Sequence, residues 1–216
     1  MRLLHVPGVH HPHSDTWLLA EAMRAAEVKG RRVADLCTGS GALAIAAARA
    51  GAAEVLAVDV SRRAVLATRI NARLNGCSVR PRRGDMFAAL AGERFDVILS
   101  NPPYVPAATD ALPRHRTTTP LDGGRDGRAL VDRICREGPR HLRERGSLLL
   151  VHSSVCGVQE TCERLRAQGL DACVVARVRG PLGPVLRARA PMLRARGLLG
   201  QADEEELVVI HGRARG

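Results

Sequence analysis

Residues 32–49, RVADLCTGSGALAIAAAR, decide how this sequence folds. A short apolar run ends in a turn that contains Gly39 and Gly41, and a segment with helical periodicity follows the turn. A second apolar run, residues 54–60, comes next, so the order is strand, glycine turn, helix, strand. This order is typical of a parallel sheet whose strands are joined by crossover helices.

The same alternation continues to the end of the chain. We predict strands at residues 32–37, 54–60, 94–100, 147–152, 172–177 and 206–211, with a weaker strand at 78–82. We predict helices at about residues 41–49, 62–74, 127–143, 158–168 and 184–196. The expected fold class is α/β, with a seven-stranded, mostly parallel sheet and helices on both faces. One domain is expected over residues 1–216, and the segment 103–127 is too long for a simple connection, which indicates a functional loop.

Composition limits the class of protein. The 216 residues are 45% hydrophobic but only 2% aromatic, so we expect a core of Leu, Val and Ala. The first 15 residues contain no long apolar region, and no apolar stretch of about 18 residues occurs anywhere. The sequence therefore predicts a soluble, cytoplasmic protein with no membrane partner.

The charge and the cysteines indicate no metal and no stable nucleic-acid complex. The net charge is +11, but the arginines are dispersed over several predicted helix faces, which favours a solvated basic surface. An acidic or RNA-associated partner is the alternative. The six cysteines form no C-x-x-C pair, which predicts buried, reduced thiols. The histidines of residues 10–13 lack a Cys or carboxylate partner at ligand spacing, so no metal site is expected.

The glycine turn and two carboxylates indicate a nucleoside cofactor. Gly39 and Gly41 let the backbone approach a ligand at a helix N-terminus, and Asp59 ends the second strand, where it can accept both hydroxyls of a ribose. The spacing from Gly39 to Ala44 also fits a dinucleotide fingerprint. Asp35, however, would repel a pyrophosphate and attract the cationic amino-acid end and sulfonium of S-adenosylmethionine. The acid favours the methyl donor over NAD.

A third acid follows the weak third strand. In a parallel sheet Asp85 would lie on the same edge as Asp59, where it can accept a hydrogen bond from an adenine amine. The next residue, Met86, would pack against the ring.

The segment SNPPYVP, residues 100–106, ends the fourth predicted strand. Pro102 and Pro103 hold this peptide stiff and leave its carbonyls without a helix or sheet partner. The Asn101 side-chain oxygen and the Pro102 carbonyl would then accept both N–H bonds of a planar NH₂ group. Tyr104, the only tyrosine, would provide a flat wall. Orientation beside a reactive methyl sulfonium supplies most of the acceleration in this hypothesis.

These motifs, together with LDGGRDGR at residues 121–128, resemble the class I S-adenosylmethionine-dependent methyltransferases that modify glutamine N5 in peptide-chain release factors. Residues 11–19, HPHSDTWLL, are similar to the short branch without an extra N-terminal helical domain. The resemblance implies a Rossmann-like fold, with residues 1–30 closing the cofactor site and S-adenosylhomocysteine as the product. It assigns Asn101, Pro102, Pro103 and Tyr104 to the acceptor amide. It assigns these residues to the donor: Thr16, Asp35, Cys37, Thr38, Gly39, Ser40, Gly41, Asp59, Val60, Asp85, Met86 and Asn101.

The sequence departs from the family at two positions. Ser14 stands where the short branch commonly has an acid, which bears on the acceptor mouth. Cys37 stands at the first glycine of the turn, which we expect to be a conservative change that crowds the turn. Both departures affect the acceptor more than the cofactor.

Several functions fit the same motifs. A release-factor glutamine is the favoured acceptor, and some members of the short branch use a small activator subunit as a partner. The Asn-Pro-Pro-Tyr tetrapeptide also serves exocyclic amines of nucleic-acid bases, while a protein lysine or a small-molecule amine is a further acceptor. A non-catalytic binding subunit and an NAD-linked oxidoreductase are the alternatives from other functional classes.

Overall fold

The computed structural model describes residues 1–112 and 120–215. Seven strands form one sheet in the order β3-β2-β1-β4-β5-β7-β6. The strands are β1 (Arg32–Leu36), β2 (Glu54–Asp59), β3 (Arg80–Arg83), β4 (Phe95–Ser100), β5 (Leu142–Ser153), β6 (Leu170–Pro181) and β7 (Glu204–Ala214). Strand β7 runs antiparallel to both of its neighbours, and the other pairs are parallel.

The described helices cover both faces of the sheet. They are α1 (Ser14–Ala22), α2 (Ala42–Arg49), α3 (Arg62–Leu74), α4 (Ala129–Glu137), α5 (Val158–Ala167) and α6 (Pro184–Ala195). Short 3₁₀ turns lie at Met23–Ala26, Met86–Leu90, Gly138–His141 and Ser154–Cys156.

Alternation along the strands divides the core into two layers. In β1, Val33 packs in the cluster that includes Leu19 of α1 and Ala44 of α2. Ala34 belongs to the cluster on the other face, which includes Ile134 of α4 and Leu165 of α5. Successive strand residues point to opposite faces, so near-continuous apolar strands are required when both faces are covered.

The predicted fold class and the seven strands are confirmed, and the structure corrects some boundaries. The helix predicted at 127–143 spans only Ala129–Glu137, because Pro139 has no backbone N–H and cannot continue it. Strand β5 therefore begins at Leu142 rather than at residue 147. Of the six free cysteines, three are buried, but Cys173 is exposed, because β6 is an edge strand with one solvent-facing row.

The N-terminal residues pack along α3 before α1 begins. The Leu4 N–H donates to Asn71 Oδ1 at 2.7 Å, and Val6 and Val9 pack against Ala64 and Ala67. This path brings residues 8–12 to the carboxyl ends of the strands. Of the predicted functional loop at 103–127, residues 113–119 lie outside the described residues.

A membrane crossing needs a helix that is both long and apolar, and residues 1–112 and 120–215 contain none.

Candidate active site

A cavity of about 560 Å³ lies at the carboxyl ends of β1, β2 and β4. Parallel strands bring the residues that follow each of them to this one edge. Ten of the twelve residues predicted to bind the cofactor line the cavity, as do Pro102, Pro103 and Tyr104. Asp35 and Gly41 do not line it.

Asp35 lies behind the cavity wall. It is fully buried, and its Oδ2 accepts hydrogen bonds from Thr38 Oγ1 at 2.6 Å and from the Ala44 N–H at 3.1 Å. Within the described residues its Oδ1 has no partner. Burial raises the pKa of Asp35 to about 7. Asp35 therefore links the turn to the first residues of α2 through hydrogen bonds. Because it does not line the cavity, its charge would act on a bound ligand at a distance and not by direct contact.

Three positions in the turn, Cys37, Gly39 and Gly41, have a left-handed backbone. Gly41 has φ of 82°, and a Cβ there would lie 2.8 Å from Thr68 Cγ2, so this glycine lets α2 and α3 pack closely. Cys37 has φ of 60°, a region that favours glycine. The replacement at residue 37 is therefore more than crowding, because the cysteine carries backbone strain. Burial raises the pKa of its thiol, which stays protonated.

Asp59 is the last residue of β2, and it forms a hydrogen bond with the glycine turn that follows β1. Its Oδ2 accepts from the Gly39 N–H at 3.0 Å, and its Oδ1 accepts from the Ser61 N–H at 2.9 Å. Burial raises the pKa of this carboxyl above its usual value. The carboxylate lies in the cavity wall beside Val60, as a ribose ligand would need.

Asp85 follows β3 and is paired with a cation. Arg133 of α4 donates from Nη1 to Asp85 Oδ1 at 2.7 Å. In the sequence Arg133 looks like one of the dispersed surface arginines, whereas its side chain is three-quarters buried and fixes an acid of the cavity. Met86, with φ of 47°, is buried and also lines the cavity.

Asn101 is oriented by α1. Its Nδ2 donates to Thr16 Oγ1 at 3.1 Å, which leaves the side-chain oxygen as the free hydrogen-bonding face. Thr16 Oγ1 in turn donates to Asp15 Oδ1 at 3.3 Å. No hydrogen bond from the described residues reaches Asn101 Oδ1 or the Pro102 carbonyl. Two acceptor oxygens at the end of β4 are thus available together.

Tyr104 is anchored by the same carboxylate. Its hydroxyl donates to Asp15 Oδ2 at 3.0 Å. Burial and the neighbouring Asp15 charge raise the pKa of Tyr104 well above its usual value, so the phenol stays protonated and donates. Asp15 therefore joins α1 to the peptide that follows β4.

The segment LDGGRDGR, residues 121–128, packs against the peptide that follows β4. The Gly123 N–H donates to the Val105 carbonyl at 2.9 Å, and the Cys156 thiol donates to the Tyr104 carbonyl at 3.0 Å. A Cβ on Gly127 would lie 2.2 Å from the Tyr104 carbonyl oxygen. Only glycine at residue 127 allows this approach, since its φ of 79° is also left-handed.

Sequence reasoning gave no role to Asp15, Gly127 or Cys156. An acid in the first turn of a helix has an ordinary explanation in the helix dipole, which hid Asp15. The glycines of 121–128 entered only through the resemblance. Nothing in the sequence marks Cys156.

The cavity chemistry fits S-adenosylmethionine. Its wall carries the carboxylates Asp15, Asp59 and Asp85 against one arginine, Arg63, and a buried Asp35 oxygen behind the wall lacks a partner among the described residues. This balance suits a cationic ligand and opposes a pyrophosphate. The described part of the chain holds no group of three His, Cys, Asp or Glu side chains arranged for a metal ion.

Comparison with known proteins gives one family. The model of the methyltransferase small domain matches residues 2–113. A Methanocaldococcus jannaschii protein named as a putative protein N5-glutamine methyltransferase is 34% identical over 175 residues, which is 81% of this chain and 87% of that protein.

Two bacterial relatives match a shorter region. The release factor glutamine methyltransferase of Gloeobacter violaceus is 45% identical over 56% of this chain. The ribosomal protein uL3 glutamine methyltransferase of Bradyrhizobium diazoefficiens is 46% identical over 55% of it. The matches cover 45% and 39% of these two proteins, less than half of their lengths.

Solved structures share the fold. The E. cuniculi Mtq2–Trm112 complex, described as responsible for methylation of the eRF1 translation termination factor, superposes with a TM-score of 0.68 at 21% identity over 96% of this chain and 99% of that one. A T. thermophilus 16S rRNA N2 G1207 methyltransferase bound to AdoMet and guanosine gives a TM-score of 0.59 at 23% identity over 98% of this chain and 46% of that one.

Proposed function

This chain belongs to the methyltransferase small domain family and has its class I, Rossmann-like fold, and we propose that it methylates the side-chain amide nitrogen of a glutamine in a protein. The donor is S-adenosylmethionine. The observation that carries the proposal is the pair of acceptor oxygens, Asn101 Oδ1 and the Pro102 carbonyl, at the end of β4.

We assign the donor site to the residues of the strand ends. Asp59 would accept the ribose hydroxyls, and Asp85 with Met86 would hold the adenine. The turn at Cys37, Thr38, Gly39 and Ser40 would surround the amino-acid portion, with Gly41 and Asp35 acting from behind it. Thr16 would reach the donor's carboxylate by exchanging its 3.3 Å bond to Asp15. When bound, S-adenosylmethionine supplies an electrophilic methyl group.

Asn101 and Pro102 act on the acceptor. A primary amide is planar, and two in-plane acceptors that take both of its N–H bonds fix the nitrogen while leaving the face of the amide plane open. That face is where the nitrogen's electron pair is available for a new N–C bond. As the N–C bond forms, the bond between the methyl carbon and the sulfur would break and leave S-adenosylhomocysteine, while the two oxygens stabilise the positive charge on the nitrogen until one N–H proton leaves to water. Positioning and preorganised dipoles thus replace a strong base.

The side chains around Asn101 keep this geometry rigid. Thr16 receives the Nδ2 donor, so the amide cannot flip without losing a hydrogen bond, and Asp15 holds Thr16 through its backbone N–H and Tyr104 through its hydroxyl. A group held within fractions of an ångström reacts faster than one that samples several rotamers. We therefore assign Asp15 as a positioning residue of the acceptor site.

Within protein glutamines, we favour the Gly-Gly-Gln loop of a peptide-chain release factor. The resemblance of the motifs and the names of the archaeal and bacterial relatives support a protein glutamine. Ribosomal protein uL3 is the second candidate, because other relatives at similar identity are named for it.

Incubation with labelled donor tests the proposal. The purified chain is given a release factor, uL3 and total RNA in separate reactions, and each protein is also supplied with its candidate glutamine changed to asparagine. We expect label in a native protein and none in its asparagine variant. Label in RNA, or label in both forms of the protein, would refute a glutamine acceptor.

The same assay tests the activator. The E. cuniculi neighbour was solved with Trm112 as a complex, and we propose a comparable small subunit as a partner of this chain. Full turnover by the purified chain alone would refute that part of the proposal.

A further inference from the structure

One side of α3 is a row of exposed, basic residues. Arg62, Leu66, Arg69 and Arg73 are exposed, with spacings of four, three and four residues, so they form one stripe along the helix. At 1.5 Å per residue the stripe is about 16 Å long. The opposite side of α3 is buried and supports the glycine turn, because Thr68 and Asn71 donate to the carbonyls of Gly39 and Ser40. We call Arg62, Arg69 and Arg73 the α3 stripe.

The α3 stripe has no described counter-ion. None of its three arginines makes an ion pair or a side-chain hydrogen bond with the described residues. Several arginines elsewhere are matched by acids: Arg133 with Asp85, Arg164 with Glu160, Arg177 with Glu206, Arg179 with Glu204, Arg189 with Asp122 and Arg194 with Asp203. The α3 stripe thus places three unmatched charges in one row on one helix, although arginines such as Arg24, Arg94 and Arg145 also make no ion pair with the described residues.

The local sequence enlarges this charge. Residues 60–84 contain seven arginines and no acid, and all but Arg80 and Arg82, which pair with Glu54 and Glu93, lack an ion pair with the described residues. Beyond the C-terminal end of α3, Arg49 donates to Asn75 and adds a further exposed cation. At the N-terminal end of α3, Arg63 lines the cavity. The basic surface thus runs from the rim of the proposed active site outward along α3.

We propose that the α3 stripe binds the phosphate backbone of RNA beside the methyl acceptor. A straight row of guanidinium groups matches a straight row of phosphates, and each guanidinium can donate two parallel hydrogen bonds to one phosphate. Several relatives are named as glutamine methyltransferases of ribosomal protein uL3.

The chemistry of the stripe also defines the kind of binding. Residues 60–84 contain no aromatic side chain on which a base could stack, so the contact reads phosphates and not sequence. Such binding is weak, transient and strongly dependent on salt. It is therefore compatible with the expectation that this chain forms no stable nucleic-acid complex.

Fluorescence anisotropy with a labelled RNA hairpin tests the stripe directly, without donor or acceptor. The triple variant Arg62→Gln, Arg69→Gln, Arg73→Gln is compared with the unaltered chain between about 50 and 200 mM salt. Each lost phosphate contact lowers the slope of log K against log salt by about 0.7–0.9, so the triple variant should lose about 2–3 from that slope. Its affinity for RNA at the low-salt end should fall about tenfold or more.

A charge-matched control separates this site from net charge. The triple variant Arg164→Gln, Arg177→Gln, Arg179→Gln removes the same three charges from arginines that are exposed but paired. We expect it to keep the RNA slope of the unaltered chain, and we expect both triple variants to bind the methyl donor normally in calorimetry.

Three results would overturn the proposal. They are no RNA binding at low salt, equal losses in the two triple variants, or a poly-glutamate peptide of equal charge that binds the stripe as tightly as the RNA does. The last result would indicate an acidic protein partner instead. Because RNA affinity is measured without methyl transfer, these outcomes are independent of the proposed glutamine chemistry.

Discussion

Asn101 and Asp59 line the same cavity. We propose that Asn101 contacts the methyl acceptor and Asp59 the donor, and single substitutions separate these two roles. Asn101→Ala removes an acceptor-orienting oxygen, so methyl transfer at saturating donor should fall about 100-fold or more. Its dissociation constant for the donor, measured by calorimetry, should stay within a few fold. Near-normal turnover in Asn101→Ala would refute the orienting role.

Asp59→Ala is the matched counterpart. One lost charged hydrogen-bond pair costs about 1.5–3 kcal/mol, which is about 10- to 150-fold in the donor dissociation constant. Turnover at saturating donor should change much less than in Asn101→Ala. An unchanged donor affinity would show that the ribose lies elsewhere.

Asp35 makes the stability of the free protein dependent on pH. Its pKa is raised from 3.8 to about 7, so between these values the folded chain holds a proton that the unfolded chain has released. The stability contributed by Asp35 therefore falls as the pH rises through this window. Asp35→Asn cannot ionise, so its free energy of unfolding relative to the unaltered chain should grow as the pH rises towards 7. Chemical denaturation of both proteins across this range measures the difference.

The same proton couples to the ligand. A cationic donor favours the ionised carboxylate, so donor affinity should rise as the pH rises through about 7, with release of protons on binding. Titration in buffers with different ionisation enthalpies measures this release. A donor affinity that does not change with pH, or a pH dependence that Asp35→Asn also shows, would refute this role of Asp35.

At the scale of residues, the strand-end positions could be predicted from the sequence, because a parallel sheet must bring Asp59, Asp85 and Asn101 to one edge. Contacts between residues that are far apart in the chain could not be predicted from the sequence. Asp15 and Tyr104 are 89 residues apart, and their hydrogen bond depends on how α1 packs on the sheet. The depth of Asp35 also needed the structure, since its place in β1 does not reveal which layer covers it.

At the scale of elements, residues 121–128 pack against the peptide that follows β4, which we propose binds the methyl acceptor. Gly127→Ala combines a left-handed φ with a clash at the Tyr104 carbonyl, so we expect a loss of about 2–5 kcal/mol in the free energy of unfolding and a collapse of turnover. Chemical denaturation and a methyl-transfer assay measure the two effects.

Gly169→Ala is the control for backbone strain alone. Gly169 has φ of 86°, and a Cβ added there would meet nothing within 4 Å, so this variant should lose only about 1–2 kcal/mol and keep full turnover. Equal losses in the two variants would mean that the approach to Tyr104 is unimportant.

Boundaries of elements show where local sequence and tertiary structure compete. The bounds of α3, Arg62–Leu74, follow from periodicity and from the Ser61 cap, whose hydroxyl accepts from the Ala64 N–H. The end of α4 was missed because apolar periodicity continues past Glu137, whereas Pro139 stops the helix. Strands β6 and β7 are longer than predicted because they pair with each other over their whole length. The local sequence contains no signal for this pairing.

At the scale of the whole molecule, donor binding should stabilise the fold. A ligand at 100 times its dissociation constant adds about 2.7 kcal/mol, which raises the melting temperature of a chain of this size by about 5–10 °C. S-adenosylmethionine and S-adenosylhomocysteine should produce this shift in a thermal melt, and NAD at the same concentration should not. A shift with NAD alone would favour an oxidoreductase, and no shift with any of them would favour a binding subunit.

The fold class was accessible from the sequence because the alternation of strands and helices is repeated over the whole chain. The distribution of charge over the surface could not be predicted from the sequence. Some of the arginines that look dispersed along the sequence are paired in three dimensions, such as Arg189 with Asp122, whereas those of the α3 stripe have no ion-pair partner among the described residues.

The central claim is that geometry at the end of β4 directs a methyl group to an amide nitrogen. A crystal structure of this chain with S-adenosylmethionine bound tests it most directly. We predict that the methyl carbon faces the space between Asn101 Oδ1 and the Pro102 carbonyl, with the ribose on Asp59. A methyl group that points away from Asn101, or a donor bound away from the strand ends, would contradict the account.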